Sequence, residues 1–359
     1  MTSRDRLLSI RRLNKLTQEE IGRKLGVDRG LISNIELGRR PFSLDVTPLG
    51  FSPERFAVHA SMSEPMHRAR ASTLRAARDC AKERLRLACE VFVELAADQD
   101  AMPVSRLPRI GDVPLSDVDE VAHEVRVGVL DAESLAPIGN LTEAVERAGV
   151  IVIPIRDLEG IGGLSSWVSL HGHTYPVVGL DPDVPGDRFR FSLLHELGHL
   201  VMHGPRRVPS NGPAPASSES EANRFARSVL LPEAVFDELF AGPTPTLRDF
   251  ISLKQVWGIS VAAMVYGAHE LGYIDDQRYR SLQIQMSKWR RKEPLTFDIS
   301  PGSLLPWLVA SAGGVRAAAA RLEMPAEYIS DLIAWRQHLS VVREPTDGDT
   351  PSSATLRRA

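Results

Sequence analysis

The sequence predicts a mainly α-helical protein with a small β-sheet, arranged as a short helical head followed by a larger α+β body. Three observations carry this. Apolar residues recur at three- and four-residue spacing along most of the chain, the period of a helix with one buried face. A β-branched run, Val150-Ile151-Val152-Ile153, and two further segments on either side of His171-Gly172-His173 read as strands, the last two as a hairpin. Prolines gather at 41–65 and 98–114, where the periodicity lapses and domains can end. With 359 residues the chain can hold two or three such units, each with its own core.

Composition narrows the class. Hydrophobic residues at 43% and charged residues at 25% are the values of a folded globular chain rather than a disordered one. No apolar run approaches the roughly 18–20 residues of a membrane span, so no membrane partner is expected. Residues 1–6 are polar and lack the pattern of a secretory signal. Cys80 and Cys89 are spaced for neither a zinc knuckle nor a disulfide scaffold, so a cytoplasmic protein with inert thiols is expected. The net charge of −3 hides an asymmetry: residues 1–45 carry +4 and the remainder −7, which points to nucleic acid at one end only.

In chain order, residues 18–37 fit a twenty-residue helix-turn-helix template. Ile21, Leu25, Val27, Ile32 and Ile35 take the packing positions, Gly22 the crossing point, and Gly26 the turn that needs a positive φ. Thr17 and Glu20 make a capping box, and Asp28 caps the second helix. The segment resembles the XRE, lambda-repressor-like family over residues 4–44, including Glu36-Leu37-Gly38-Arg39. In that docking mode Arg29, Ser33 and Asn34 face base edges, with Gln18, Arg39 and Arg40 on phosphates of a double-stranded operator. A single module of this size binds weakly, so a homodimer is expected.

Residues 46–114 read as a linker and one long amphipathic helix at 67–97, with Leu74, Ala77, Ala81, Leu85, Ala88, Phe92 and Leu95 on one face, a candidate dimer seam. A catalytic body follows at 115–290, beginning with helices from Asp117 and from Asn140. Residues 204–218, rich in proline, read as a flexible interruption. Residues 291–344 read as a small helical region and 345–359 as a disordered tail. Leu247 to Gln277 has a second helix-turn-helix cadence, read as packing.

The body's chemistry centres on His195-Glu196-Leu197-Gly198-His199. Residues four apart lie on one face of a helix, so both imidazoles can reach one ion, while Glu196 touches water bound to it. Phe191, Leu193, Leu194, Leu197, Leu200 and Val201 make the helix buried, and Gly198 lets another element approach. A third histidine six residues after His199 is absent, since Met202 and Pro205 stand where that pattern needs glycine and histidine. His203 is two turns from His195, about 12 Å along the axis, which suits a supporting role better than coordination. Of the downstream glutamates, Glu219 lies about 60° from the centre of the buried stripe and Glu221 about 100°, which favours Glu219. Asn223, one turn on, can hydrogen-bond a ligand histidine.

Residues 188–232 resemble the ImmA/IrrE metallo-endopeptidases through Arg188, Phe191, the His195–His199 motif, Glu219 with Asn223, and Leu230-Leu231-Pro232. The likeness runs from about 121 to 282. It implies a zincin-like (thermolysin-like) fold, one Zn2+ per chain held by His195, His199 and Glu219, Glu196 as catalytic base, and a peptide along an edge strand. It also implies a protein substrate of the helix-turn-helix repressor kind, in control of stress-response or mobile-element genes. Tyr175, His171 and His173 are candidate oxyanion donors. Two functions fit: a DNA-bound zinc endopeptidase, or a transcription regulator or antitoxin-like repressor whose zincin body senses without cutting. The complete catalytic set favours the first.

Overall fold

In a computed structural model the described residues are 3–58, 60–63, 66–69, 75–97, 105–107, 117–156, 161–203, 216–289 and 293–335. Most of the proline-rich interruption and all of the expected disordered tail lie outside them. The described residues are mainly helical with one small sheet, as the periodicity predicts.

The head holds α1 (Ser3–Leu13), α2 (Gln18–Lys24), α3 (Arg29–Glu36) and a short α4 (Pro53–Ala57). Thr17 and Glu20 form the expected reciprocal cap, and Asp28 accepts from the Leu31 amide at 2.9 Å. Gly26 has φ +68°, and a Cβ on Gly22 would stand 2.8 Å from the Val27 carbonyl oxygen, so both glycines are required by the turn.

The sheet has β1 (Ser61–Met62), β2 (Met66–Ala69), β3 (Ile151–Pro154), β4 (Ile161–Leu170) and β5 (His173–Leu180). β4 and β5 form the expected antiparallel hairpin, closed by His171 and Gly172 at φ +50° and +80°, the conformation that matches strand twist in a two-residue turn. β3 pairs parallel to β5 on one side, while β1 and β2 share the far edge of β4.

The long helix, α5, runs over Arg75–Ala97, so its predicted start at 67 is corrected: residues 66–69 are strand β2. Pairing to β4 takes these residues because a strand partner is available there, which local periodicity cannot reveal. The stretch expected to be linker is likewise structured, with α4, β1 and β2 within it. Nor is α5 a free seam. Leu85, Ala88, Cys89, Phe92 and Leu95 are buried in one core with the inward face of α1 and one face of the sheet, through Leu164, Val168, Tyr175 and Val177.

The other sheet face, through Val152, Val178 and Leu180, packs on α8 (Gly186–Met202), and α9 (Ala216–Leu230) packs on α8 in turn. Around them lie α6 (Val118–Glu124) with a π-turn at Val125–Val129, α7 (Leu141–Arg147), α10 (Glu233–Phe240), α11 (Leu247–Trp257), α12 (Val261–Glu270) and α13 (Asp276–Ser287). Trp257, Ile259, Val261 and Met264 are buried in this core, so the second helix-turn-helix cadence is packing. Helices α11 and α12 are bent by 111°, and among the described residues no single helix is long and apolar enough to cross a membrane.

Within the region expected at 291–344, the described residues 293–335 are more than an appendage. Their α14 (Leu304–Ser311), α15 (Val315–Arg321) and α16 (Ala326–Leu332) share the core of α5 and reach the head, where Asn14 Nδ2 donates to Tyr328 Oη at 2.6 Å.

Head and body meet at a buried charge cluster. Arg6 of α1 donates to Glu90 of α5 and to the Val58 carbonyl, Arg55 lies 3.6 Å from Glu90, and the Ala60 amide donates to Glu90 at 2.8 Å. Both Arg6 and Glu90 are buried. Replacing Glu90 by alanine removes the buried carboxylate that two guanidinium groups share, so Glu90→Ala is expected to cost about 3 kcal/mol. Urea unfolding followed by circular dichroism reads this out; an unchanged midpoint would show that the cluster does not hold the head.

Candidate functional site

The metal-site helix α8 is buried along most of its length, and its ligand face is set between two partners. On one side α9 comes close enough that a Cβ on Gly198 would stand 2.9 Å from Phe225 Cδ1 and 3.5 Å from Ala222 Cα. On the other, β4 passes over Glu196: a Cβ on Gly163 would lie 3.0 Å from Glu196 Cγ. Helix α9 is itself pinned to α6, where Asp119 accepts from Arg224 and Ser228. Burial works against the Asp119 charge, but these hydrogen bonds hold its carboxyl below the usual range.

This packing brings His195, His199 and Glu219 together. The two histidine Nε2 atoms lie 3.1 Å apart, His195 Nε2 is 3.5 Å from Glu219 Oε2, and His199 Nε2 is 3.4 Å from Glu219 Oε1. Ligands about 2.0–2.2 Å from a four-coordinate ion stand roughly 3.3 Å from one another, so the spacing fits a metal.

The proton positions fit one too. His195 Nδ1 faces Asn223 Oδ1 at 3.0 Å; an amide oxygen can only accept, so Nδ1 carries the proton and Nε2 a lone pair. His203 Nε2 faces the Glu221 carboxylate at 2.7 Å and donates to it; in a neutral His203 ring Nδ1 then accepts from His199 Nδ1 at 3.0 Å. His199 Nε2 is therefore also a lone pair. Two imidazole nitrogens and a carboxylate converging in this way form a set that could hold a cation.

Electrostatics agree. Burial pushes His199 down to about 4, with His195 and His203 nearby adding to the effect, so its ring is neutral and ready to coordinate.

Glu196 sits beside the triad, buried, with Ser165 Oγ donating to its Oε2 at 2.7 Å. The sequence reading gave roles to neither Ser165 nor Glu221. Period-2 alternation on β4 could have put Ser165 on the helix side, but not opposite Glu196 in particular. The suggested oxyanion donors do not reach the site. Tyr175 is buried against α5 on the opposite sheet face; His173, two residues away, is exposed on that same side, and His171 pairs with Glu94 of α5 at 3.1 Å.

On the head, Arg29, Arg39 and Arg40 are exposed while Ser33 and Asn34 are half-buried. Gln18 is turned inward, its amide donating to Glu36 at 2.7 Å beside the Arg11–Glu36 pair. The Arg39 and Arg40 amides both donate to the Asn34 carbonyl, at 2.8 and 3.2 Å, which fixes the chain after α3.

The donor set with its neighbouring glutamate defines a metallopeptidase-like centre, in a chain whose first helices form a helix-turn-helix. Comparison with known families agrees: residues 145–272 match the model of a peptidase family described as an IrrE N-terminal-like domain, and residues 7–46 match one described as helix-turn-helix. The chain thus joins an XRE-type helix-turn-helix domain to an IrrE-like peptidase-family domain. A search of curated proteins gives no match.

The His199 environment gives a signed expectation for the metal-free protein. The unfolded imidazole takes its proton near its ordinary 6.5, but folded His199 only at about 4, so between these values the unfolded chain binds more protons. Stability is therefore full above the upper value and falls on acidification through this window. Urea midpoints across the window should show that slope, and His199→Leu should flatten it.

Proposed function

We propose that this chain is a DNA-binding, zinc-dependent endopeptidase that cuts a protein regulator, of the helix-turn-helix repressor kind, in control of stress-response or mobile-element genes. The observation that carries the reading is the convergence of His195 Nε2, His199 Nε2 and Glu219, with Glu196 held beside them by Ser165. Two nitrogens and one carboxylate suit zinc with one position left for water. Zinc, when bound, lowers the pKa of its water to near ~7 and polarises a carbonyl.

The chain's own residues do the rest. Glu196 takes the water proton and delivers it to the departing amine. The Ser165 hydroxyl fixes Glu196 by donating to one of its oxygens. Asn223, and His203 through Glu221, hold the ligand rings in the tautomers that coordinate. The head carries exposed Arg29 at the start of α3, where a recognition helix meets base edges, and Arg39 and Arg40 at its end for phosphates. It would bring the peptidase to an operator where a repressor already sits.

Incubation of the zinc-loaded protein with a repressor encoded beside it tests this. Glu196→Gln should keep its zinc and lose cleavage by about 100-fold or more. Zinc bound without any cleavage would leave a regulator that senses and does not cut. Asn223→Ala is expected to weaken zinc about 10–100-fold, read by competition with a chromogenic chelator. Arg29→Ala should cost operator binding about 1–3 kcal/mol in a mobility shift at fixed salt, and an unchanged shift would remove α3 from the groove.

A further inference from the structure

The strand nearest the metal site is β4, and both of its long sides are occupied. An edge strand carries unpaired N–H and C=O groups and takes an extended peptide by adding a strand. Beside a peptidase site, that is where a target backbone would lie. Here β5 fills one side of β4 and the chain's own β1 and β2 fill the other.

β2 runs antiparallel to β4 and packs beside α8. Met66 stands opposite Ser165, the residue whose hydroxyl holds Glu196, and His67 stands opposite Leu164. Further along, Ser61 and Met62 pair with Ser169 and Val168. Ser63 donates from its amide to the Trp167 carbonyl at 3.0 Å, and its Oγ accepts from the Trp167 amide at 3.2 Å.

We propose that β2 is an intramolecular occupant of the substrate strand site: the folded chain is self-inhibited, and a target enters by displacing Met66–Ala69 from β4. This rests on the peptidase reading. The strand is built to yield. It is four residues long, and its register shifts between His67 and Ala69, an irregularity that weakens the ladder. The ligand that competes with it is an extended peptide backbone of a protein target, not a small molecule.

The test uses the full chain with His67→Pro and Ala69→Pro together, which removes two amides from β2. Zinc-loaded, this variant should digest fluorescein-labelled β-casein about tenfold or more faster than the parent, the gain expected when a closed site is opened. In a Glu196→Gln background, a fluorescent peptide copying residues 60–70 should bind the double-proline variant about tenfold or more tighter than the same protein with β2 intact. Equal digestion by parent and variant overturns self-inhibition and leaves the peptidase reading standing. Tighter peptide binding with no digestion by either protein supports the strand site and removes the peptidase reading. Unchanged binding overturns the inference whatever the digestion. Accumulation of parent chain cut within residues 61–69, absent from Glu196→Gln, also overturns it, since β2 would then be a substrate. If circular dichroism shows the proline variant unfolded, Ser61→Cys with Ser169→Cys locks the neighbouring strand β1 instead. The oxidised lock should bind the peptide about tenfold less than the reduced form, and equal binding overturns the inference.

Discussion

The candidate metal site depends on how closely two helices approach, and a missing side chain sets that distance. Where Gly198 faces α9, any Cβ would press on the Phe225 ring and the Ala222 backbone. With glycine there, Ala222, Phe225 and Ala226 lie fully buried against α8, and the first turn of α9 carries Glu219 to the two imidazoles. A methyl at Gly198 would push α9 outward by some tenths of an ångström, and the carboxylate is held by geometry alone. Packed interiors transmit such shifts because they contain little free volume to absorb them. The spacing of the ligands is thus a consequence of helix packing, and the histidine motif by itself accounts for only two of the three donors.

Around that contact the protein builds two short hydrogen-bond chains with opposite ends anchored on α9. Asn223 holds His195, and Glu221 holds His203, which holds His199. Each chain ends in a group that can only accept at that contact, so each fixes the same tautomer in its ligand ring. Glu219, Glu221 and Asn223 are spaced by two, and the helix turns them to different sides of α8: one toward the metal position, two toward the far nitrogens. One stretch of five residues therefore supplies a ligand and the supports of both others.

Much of this was legible because it is local. Helical spacing of His195 and His199, the burial of Leu193, Leu194 and Leu197, the close approach at Gly198, and the angular preference for Glu219 are all readable within one or two turns. The glycines of the head are equally so, since a positive φ and a helix crossing each demand a small residue at a fixed offset. What was missed is non-local. Residues 67–69 read as the start of the long helix because only a partner strand about a hundred residues away makes them β. Tyr175 reads as a candidate oxyanion donor although strand alternation turns it to α5, and only the tertiary placement of α5 and α8 says which sheet face is which. Arg126, buried and donating to the carbonyls of Glu133, Ala136 and Val229, has no sequence signature at all, because its partners are backbone atoms that any residue provides.

Chain order adds a final constraint. The edge strands β1 and β2 fall between α4 of the head and α5, and the head end of that connection is the stronger. Just before Ser61, the Ala60 amide is fixed on Glu90, which also engages Arg6 and lies beside Arg55, while Arg55 reaches Glu94 at 3.6 Å. Cross-strand pairs contribute about 0.2–1 kcal/mol each, whereas removing one member of a buried ion pair costs roughly 3–5 kcal/mol. A competing peptide therefore meets its least resistance along β4 and meets the charge cluster only beyond it. Exchange of β2 can run to Ser63 or Ser61 and stop, with α1 still seated on α5 and the recognition helix still in register with it. On the proposed reading, the edge of the sheet opens while the helix-turn-helix head stays docked, so occupancy of the cleft and occupancy of an operator need not exclude each other.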